Sequence, residues 1–303
     1  MGTQAPIHDL LGSAQYTDLL ATLATAPTVV LLGVTSELVE PLIPTITQAL
    51  LPTASARAND LRLASPDALN WTVGEVESQI IAPSTLTPTV RNVIVVTATD
   101  RMSAACADHL LKAIEEPLAP TTFVLCAPDP SRLPATIRGR ATATVALTID
   151  LANVKSTLID ASQSAELVDT AALVLGPDLA AFAALGTSEP ALLTQVFETL
   201  IALPAPSSAA TTAAELANLL TRLCDAATES SSEESSSVLS RRRARSLAAL
   251  CLAAWRRHVI TLLATRPDLS TRAAVRLTAF TRAEDILGLN GPLDLALASA
   301  LSV

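Results

Sequence analysis

Aromatic side chains are scarce, at 2% of 303 residues, and consist of two Trp, one Tyr and four Phe. Half of the chain is nevertheless apolar, so its core must come from Ala, Leu, Val and Ile, which at this density favour closely packed helices. Lysine is nearly missing as well, occurring only as Lys112 and Lys155. Positive charge therefore rests on arginine, whose permanently charged planar fork suits fixed contacts to phosphate or carboxylate. The net charge of −9 excludes a general basic field able to hold nucleic acid across the whole surface. Four cysteines (Cys106, Cys126, Cys224, Cys251) include no close pair that could start a zinc site, and His8, His109 and His258 are dispersed, so no metal and no disulfide is expected. The opening "MGTQAPIHDLL" lacks the basic and long apolar regions of a signal peptide. Despite a mean hydropathy of +0.44, Pro, Arg or Asp interrupts each apolar run before it reaches the length of a membrane span. These absences predict a cytoplasmic protein in a reducing compartment, away from membranes.

What is present is an alternation of strands and helices in the first half, the pattern of a parallel sheet covered by helices, in a chain long enough for two or three domains. The strand candidates are residues 28–34 ("TVVLLGV"), 90–96 ("VRNVIVV"), 121–127 ("TTFVLCA") and 142–147 ("TATVAL"). Their continuous apolar character predicts burial on both faces. Between the second and third, "DRMSAACADHLLKAIEEP" sets Met102, Cys106, Leu110, Ala113 and Ile114 on one helical face, with Asp100 or Ser103 as cap and Pro117 as stop. Beyond about residue 148 strand signals vanish. "LGPDLAAFAALGTSEPALL" predicts two or three short helices, 228–237 ("TESSSEESSS") reads as a polar loop, and "RRRARSLAALCLAAWRRHVITLLA" is a strong amphipathic helix followed by two more.

Catalytic patterns fail one by one. Glu115 and Glu116 are adjacent on a helix and point about 100° apart, so they do not converge on one substrate. No Ser, His and Asp occur in a nucleophile-elbow context. If Gly33 opened a phosphate loop, the second glycine, the lysine and the hydroxyl residue would fall on Leu38, Val39 and Glu40, and none matches. The second strand should end in acidic residues for magnesium but offers Thr97 and Ala98. No nucleotide cofactor is expected. In "LPATIRGRA", residues 133–141, Arg138 and Arg140 face opposite ways if helical and the same way if extended, and the glycine between them is expected to let the chain leave the helix sharply. An intramolecular carboxylate partner and a role toward a second chain both remain open for these arginines.

Residues 93–141, "VIVVTATDRMSAACADHLLKAIEEPLAPTTFVLCAPDPSRLPATIRGRA", resemble the delta-prime subunits of the bacterial DNA polymerase III clamp loader. The matching positions are Asp100 and Arg101, then Leu110, Leu111, Lys112, Glu115, Glu116 and Pro117, then Leu133, Pro134, Thr136, Ile137, Arg138 and Arg140. "IHDLLG" near the start and "LGLNGPLDLALASAL" (287–301) extend the resemblance weakly. It implies an α/β AAA+ domain, a parallel sheet with flanking helices, over 1–148. A small helical lid over 149–205 and an all-α collar over 206–303 are implied after it. It further implies a subunit that binds no ATP and places an arginine finger, here Arg140, at the ATP of a neighbouring tau/gamma subunit. Delta and tau/gamma subunits are the implied partners, with the sliding clamp and primed DNA reached through the complex. The family's Ser-Arg-Cys motif stands here as Gly139-Arg140-Ala141, and its zinc module is missing from "NDLRLASPDALNW". Two other readings compete: an active AAA+ ATPase with an unorthodox phosphate loop, and an AAA+-derived scaffold outside replication. The arginines at 241–245 and Arg256 and Arg257 are expected on collar helices as solvated or ion-paired faces.

Overall fold

Three runs of Val, Ile, Leu and Phe form the centre of a five-stranded sheet: β1 (Thr28–Leu32), β3 (Asn92–Val96) and β4 (Thr121–Ala127). The computed structural model describes residues 11–301 apart from 12, 68–69, 118, 129–130, 161–162, 186–189, 202–208, 229–232, 266–269 and 290. Of the opening stretch 7–12, only Leu11 is among the described residues. With the edge strands β2 (Leu61–Ala64) and β5 (Ala143–Ala146), the sheet order is β2-β3-β4-β1-β5, and every pairing is parallel. Parallel neighbours require crossovers, which the helices supply. In chain order these are α1 (Ser13–Thr25), α2 (Ser36–Leu50), α3 (Ala54–Asp60), α4 (Val73–Val76) continued by a π-helical turn (Glu77–Ile81) into α5 (Ala82–Ser84), α6 (Ala104–Glu115) and α7 (Ala135–Arg138).

The central strands are buried as their composition predicts, but β5 is not. Its residues alternate between partly buried and exposed, because an edge strand has a neighbour on one side only. β2 went unpredicted: four residues containing Arg62 and an exposed Leu63 carry no continuous apolar signal. The helix over "DRMSAACADHLLKAIEEP" forms as its spacing predicts. Ser103 is the cap, accepting a hydrogen bond from the Cys106 N–H at 3.2 Å, and Met102, Cys106, Leu110 and Ile114 are buried against the sheet. α2 tolerates Pro41 and Pro44 inside it, each of which removes an intrahelical bond, because Leu38, Val39, Leu42 and Ile46 are buried.

The described chain divides into two compact units at Ile149/Asp150. The elements of the second among the described residues are all helical: α8 (Leu151–Asp160), α9 (Ala165–Leu175), a 3₁₀ turn (Gly176–Asp178), α10 (Leu179–Leu185), α11 (Pro190–Ile201), α12 (Ala209–Thr228), α13 (Glu233–Thr265), α14 (Ser270–Gly288) and α15 (Leu293–Leu301). α12 packs on α13 and α15, and α14 packs on the same two, so the last four helices close a bundle. The polar tract 228–237 is not wholly a loop, since α13 already begins at Glu233. Trp255 is buried and its Nε1–H donates to the Leu200 carbonyl at 3.3 Å, which ties α13 to α11. Among the described residues no helix is long and apolar enough to cross a membrane.

Gly33 shows why one glycine is obligatory. Its φ is +80°, and a Cβ there would lie 2.9 Å from the Leu147 carbonyl oxygen. Gly33→Ala is expected to lower the unfolding free energy by about 1–3 kcal/mol, measured as an earlier denaturant midpoint with an unchanged slope.

Candidate functional site

Two ends of the sheet matter: the C-terminal end, where Gly33 follows β1 and Thr97 follows β3, and the N-terminal end, where Arg140 precedes β5.

At the C-terminal end only three residues, 33–35, connect β1 to α2. The Gly33 N–H donates to the Ala127 carbonyl at 2.9 Å, and the Leu38 N–H to the Thr35 carbonyl at 3.1 Å, so these donors are engaged inside the chain. Leu38 and Val39, at the positions a phosphate loop would give to glycine and lysine, lie buried in the first helical turns, while Glu40 is exposed. Glu37 is also buried there, in the first turn, where a phosphate-binding helix would receive its anion. Thr97 is buried and its hydroxyl bonds the Ser65 hydroxyl at 3.0 Å, while its carbonyl accepts from Trp71 Nε1 at 3.0 Å. Ala98 follows in the left-handed region at φ +49°. Neither position carries a carboxylate for magnesium.

At the N-terminal end, Leu133 just before α7 and Ile137 within it are buried in the core and anchor this short helix. Arg140 N–H and Ala141 N–H both reach the Ile137 carbonyl at 3.1 Å, and Thr142 N–H bonds the Thr28 carbonyl at 2.9 Å. The segment is thereby pinned to the core on one side and to β1 on the other. Arg138 turns back on it, donating from Nη2 to the Leu133 carbonyl at 3.2 Å. Arg140 stays at the surface, where its Nε–H donates to Glu115 Oε1 at 2.7 Å. The side chains of this pair are 44% and 48% exposed, so it is worth only about 0.2–1 kcal/mol to the fold. The two groups meet because α6 and α7 both end where strands begin. α6 leads from β3 to the start of β4, and α7 to the start of β5.

Gly139 departs from its sequence-based reading. Its φ of −70° and ψ of −14° continue the helical turn, so no left-handed exit occurs. A Cβ there would meet its nearest atom, the Ala135 carbonyl oxygen, at an ordinary 3.4 Å, so the serine of the family motif would fit. The intramolecular partner of Arg140 was legible as a possibility, but its identity was not, because Glu115 is 25 residues away and joined to it only by tertiary structure.

The other arginines are tied into the helical unit. Arg245 Nη2 bonds the Gly291 carbonyl at 3.3 Å, Arg256 pairs with Glu284 at 2.9 Å, and Arg257 pairs with Asp178 and donates to the Leu175 carbonyl at 3.1 Å. Burial pushes the Asp178 carboxyl up and Arg257 pulls it part of the way back. None of the four cysteines is in a disulfide, and all are buried. Burial pushes the Cys126 thiol up to about 12, while burial and the Asp178 charge push Cys251 up as well, so neither forms a nucleophilic thiolate near neutral pH. No cluster of His, Cys, Asp or Glu able to hold a metal occurs among the described residues.

An all-parallel sheet in the order β2-β3-β4-β1-β5, flanked by helices and followed by a helical unit, defines an AAA+ architecture. The family model described as "DNA polymerase III, delta subunit" matches residues 48–149, from the end of α2 through β5 and including Glu115 and Arg140. Over that segment the chain is similar to this clamp-loader family. No curated protein matches it. Among solved structures, a DNA polymerase III gamma subunit-related protein from Thermotoga maritima is similar at 14% identity and a TM-score of 0.48, over 95% of this chain and 97% of that one. A Thermotoga maritima RuvB variant is similar at 15% identity and a TM-score of 0.44, over 66% of this chain and 68% of that one.

Proposed function

We propose that this chain is the delta-prime-type subunit of a bacterial DNA polymerase III clamp loader: it holds no nucleotide and gives Arg140 to the ATP site of a neighbouring tau/gamma subunit. One observation carries the reading. The connection after β1 is three residues long and the Gly33 and Leu38 N–H groups are bonded within the chain, while the exposed fork of Arg140 lies at the opposite end of the sheet. The five residues of β1 alone separate these ends by about 16 Å, so Arg140 is placed to act in another subunit and not on a ligand above its own strands. A guanidinium set against the γ-phosphate of a neighbour complements the charge that spreads over its oxygens during transfer.

In this reading residues 1–148 form the degenerate AAA+ domain, 149–205 the lid and 206–303 the oligomerising collar. Delta and tau/gamma subunits are its partners in the cytoplasm, and it meets the sliding clamp and primed DNA through the assembly. The acidic chain and the internal bonds of Arg245, Arg256 and Arg257 favour this over direct DNA binding. Reconstitution with Arg140→Ala is the test: an assembled complex with reduced clamp- and DNA-stimulated ATPase supports the reading, and unchanged turnover overturns it.

A further inference from the structure

The geometry points to Glu115 as the positioning residue of Arg140, an inference that rests on the trans role proposed above. Glu115 is the last residue of α6, and its Oε1 accepts from Nε, the guanidinium nitrogen nearest the main chain, at 2.7 Å. Both Nη groups, with four N–H donors between them, have no protein partner among the described residues. A fork gripped at its inner edge keeps its outer edge for phosphate oxygens, which is the arrangement a bidentate phosphate contact needs.

The physical gain is preorganisation. An arginine side chain on an exposed turn samples many rotamers, and holding it in one before the neighbour docks removes an ordering cost from the transition state. The pair is too exposed to matter much to the fold itself, so its effect is to be sought in turnover. Glu116, which follows directly, has left helical geometry at φ −135° and ψ 70°, and the carboxylate that Arg140 meets is that of Glu115.

The experiment uses the reconstituted clamp loader with clamp, primed DNA and magnesium ATP. Glu115→Ala is expected to lower the kcat of stimulated ATP hydrolysis about tenfold with KM for ATP unchanged, and to leave the thermal midpoint of the isolated chain in place. Glu115→Gln, whose amide oxygen still accepts from Nε, is expected to retain most of the turnover, and Glu116→Ala all of it. In an Arg140→Ala background, Glu115→Ala should have no further effect, because the two act as one unit. Wild-type turnover in Glu115→Ala, in a preparation where Arg140→Ala is impaired, overturns this inference alone. A glutamine variant as slow as the alanine variant also overturns it. Wild-type turnover in Arg140→Ala overturns the trans role and this inference together.

Discussion

Arg140→Ala is expected to cut clamp- and DNA-stimulated ATP turnover at least about tenfold while the complex still assembles and the isolated chain unfolds as before. Fingers of this kind contribute about 10³–10⁵ in other phosphoryl-transfer systems. In the proposed role the loss belongs in kcat, because the guanidinium would meet charge that develops during transfer and not in bound ATP. Arg140→Lys should recover little, since an ammonium lacks the planar fork and the inner nitrogen that Glu115 holds. Stability should barely move, because an exposed pair contributes only about 0.2–1 kcal/mol. Steady-state ATPase with and without clamp and primed DNA, alongside sizing of the complex, measures all of this.

Asp60→Ala should damage the fold far more than the loss of any surface ion pair, lowering the unfolding free energy by about 3 kcal/mol. Asp60 ends α3 and is buried, and its carboxylate collects three backbone donors from the segment entering β3. Thr89 N–H reaches Oδ1 at 2.7 Å, and Val90 and Arg91 N–H reach Oδ2 at 2.7 and 3.2 Å. Alanine leaves these donors without their acceptor, and asparagine turns an amide N–H₂ toward them. Burial alone would raise this carboxyl, but the three N–H groups outweigh it and hold it below the ordinary aspartate value of 3.8. A carboxyl depressed in the folded state stabilises above its unfolded value and loses that contribution as pH falls through its folded value. The stability gap between wild type and Asp60→Asn should therefore be constant near neutrality and narrow below about pH 4, as urea unfolding across pH would record.

Much of the sheet was legible because β1, β3 and β4 are continuous runs of Val, Ile, Leu and Phe, and burial on both faces leaves no polar alternation to confuse them. β2 was not, because an edge strand of four residues with a half-buried Arg62 and an exposed Leu63 needs no such run. The start of α13 at Glu233 was hidden by serines, which are weak helix formers, in a tract whose glutamates suit a helix N-terminus. At the site, the missing phosphate-loop residues could be read from spacing alone. The three-residue connection between β1 and α2 could not, since Ser36 and Glu37 read equally well as loop. Arg140 was marked by resemblance and by the arginine pair. Glu115 was weighed as an acid or base, as a solvated helix end and as a position of the resemblance, and its contact with Arg140 exists only once α6 and α7 have both packed on the sheet.

The most direct measurement is a calorimetric titration of the isolated chain with magnesium ATP, repeated with the reconstituted complex. The account predicts no saturable binding by the isolated chain at millimolar nucleotide, and in the complex only as many sites as there are tau/gamma subunits. One-to-one binding by the isolated chain, lost in a variant of the segment around Gly33, would contradict it.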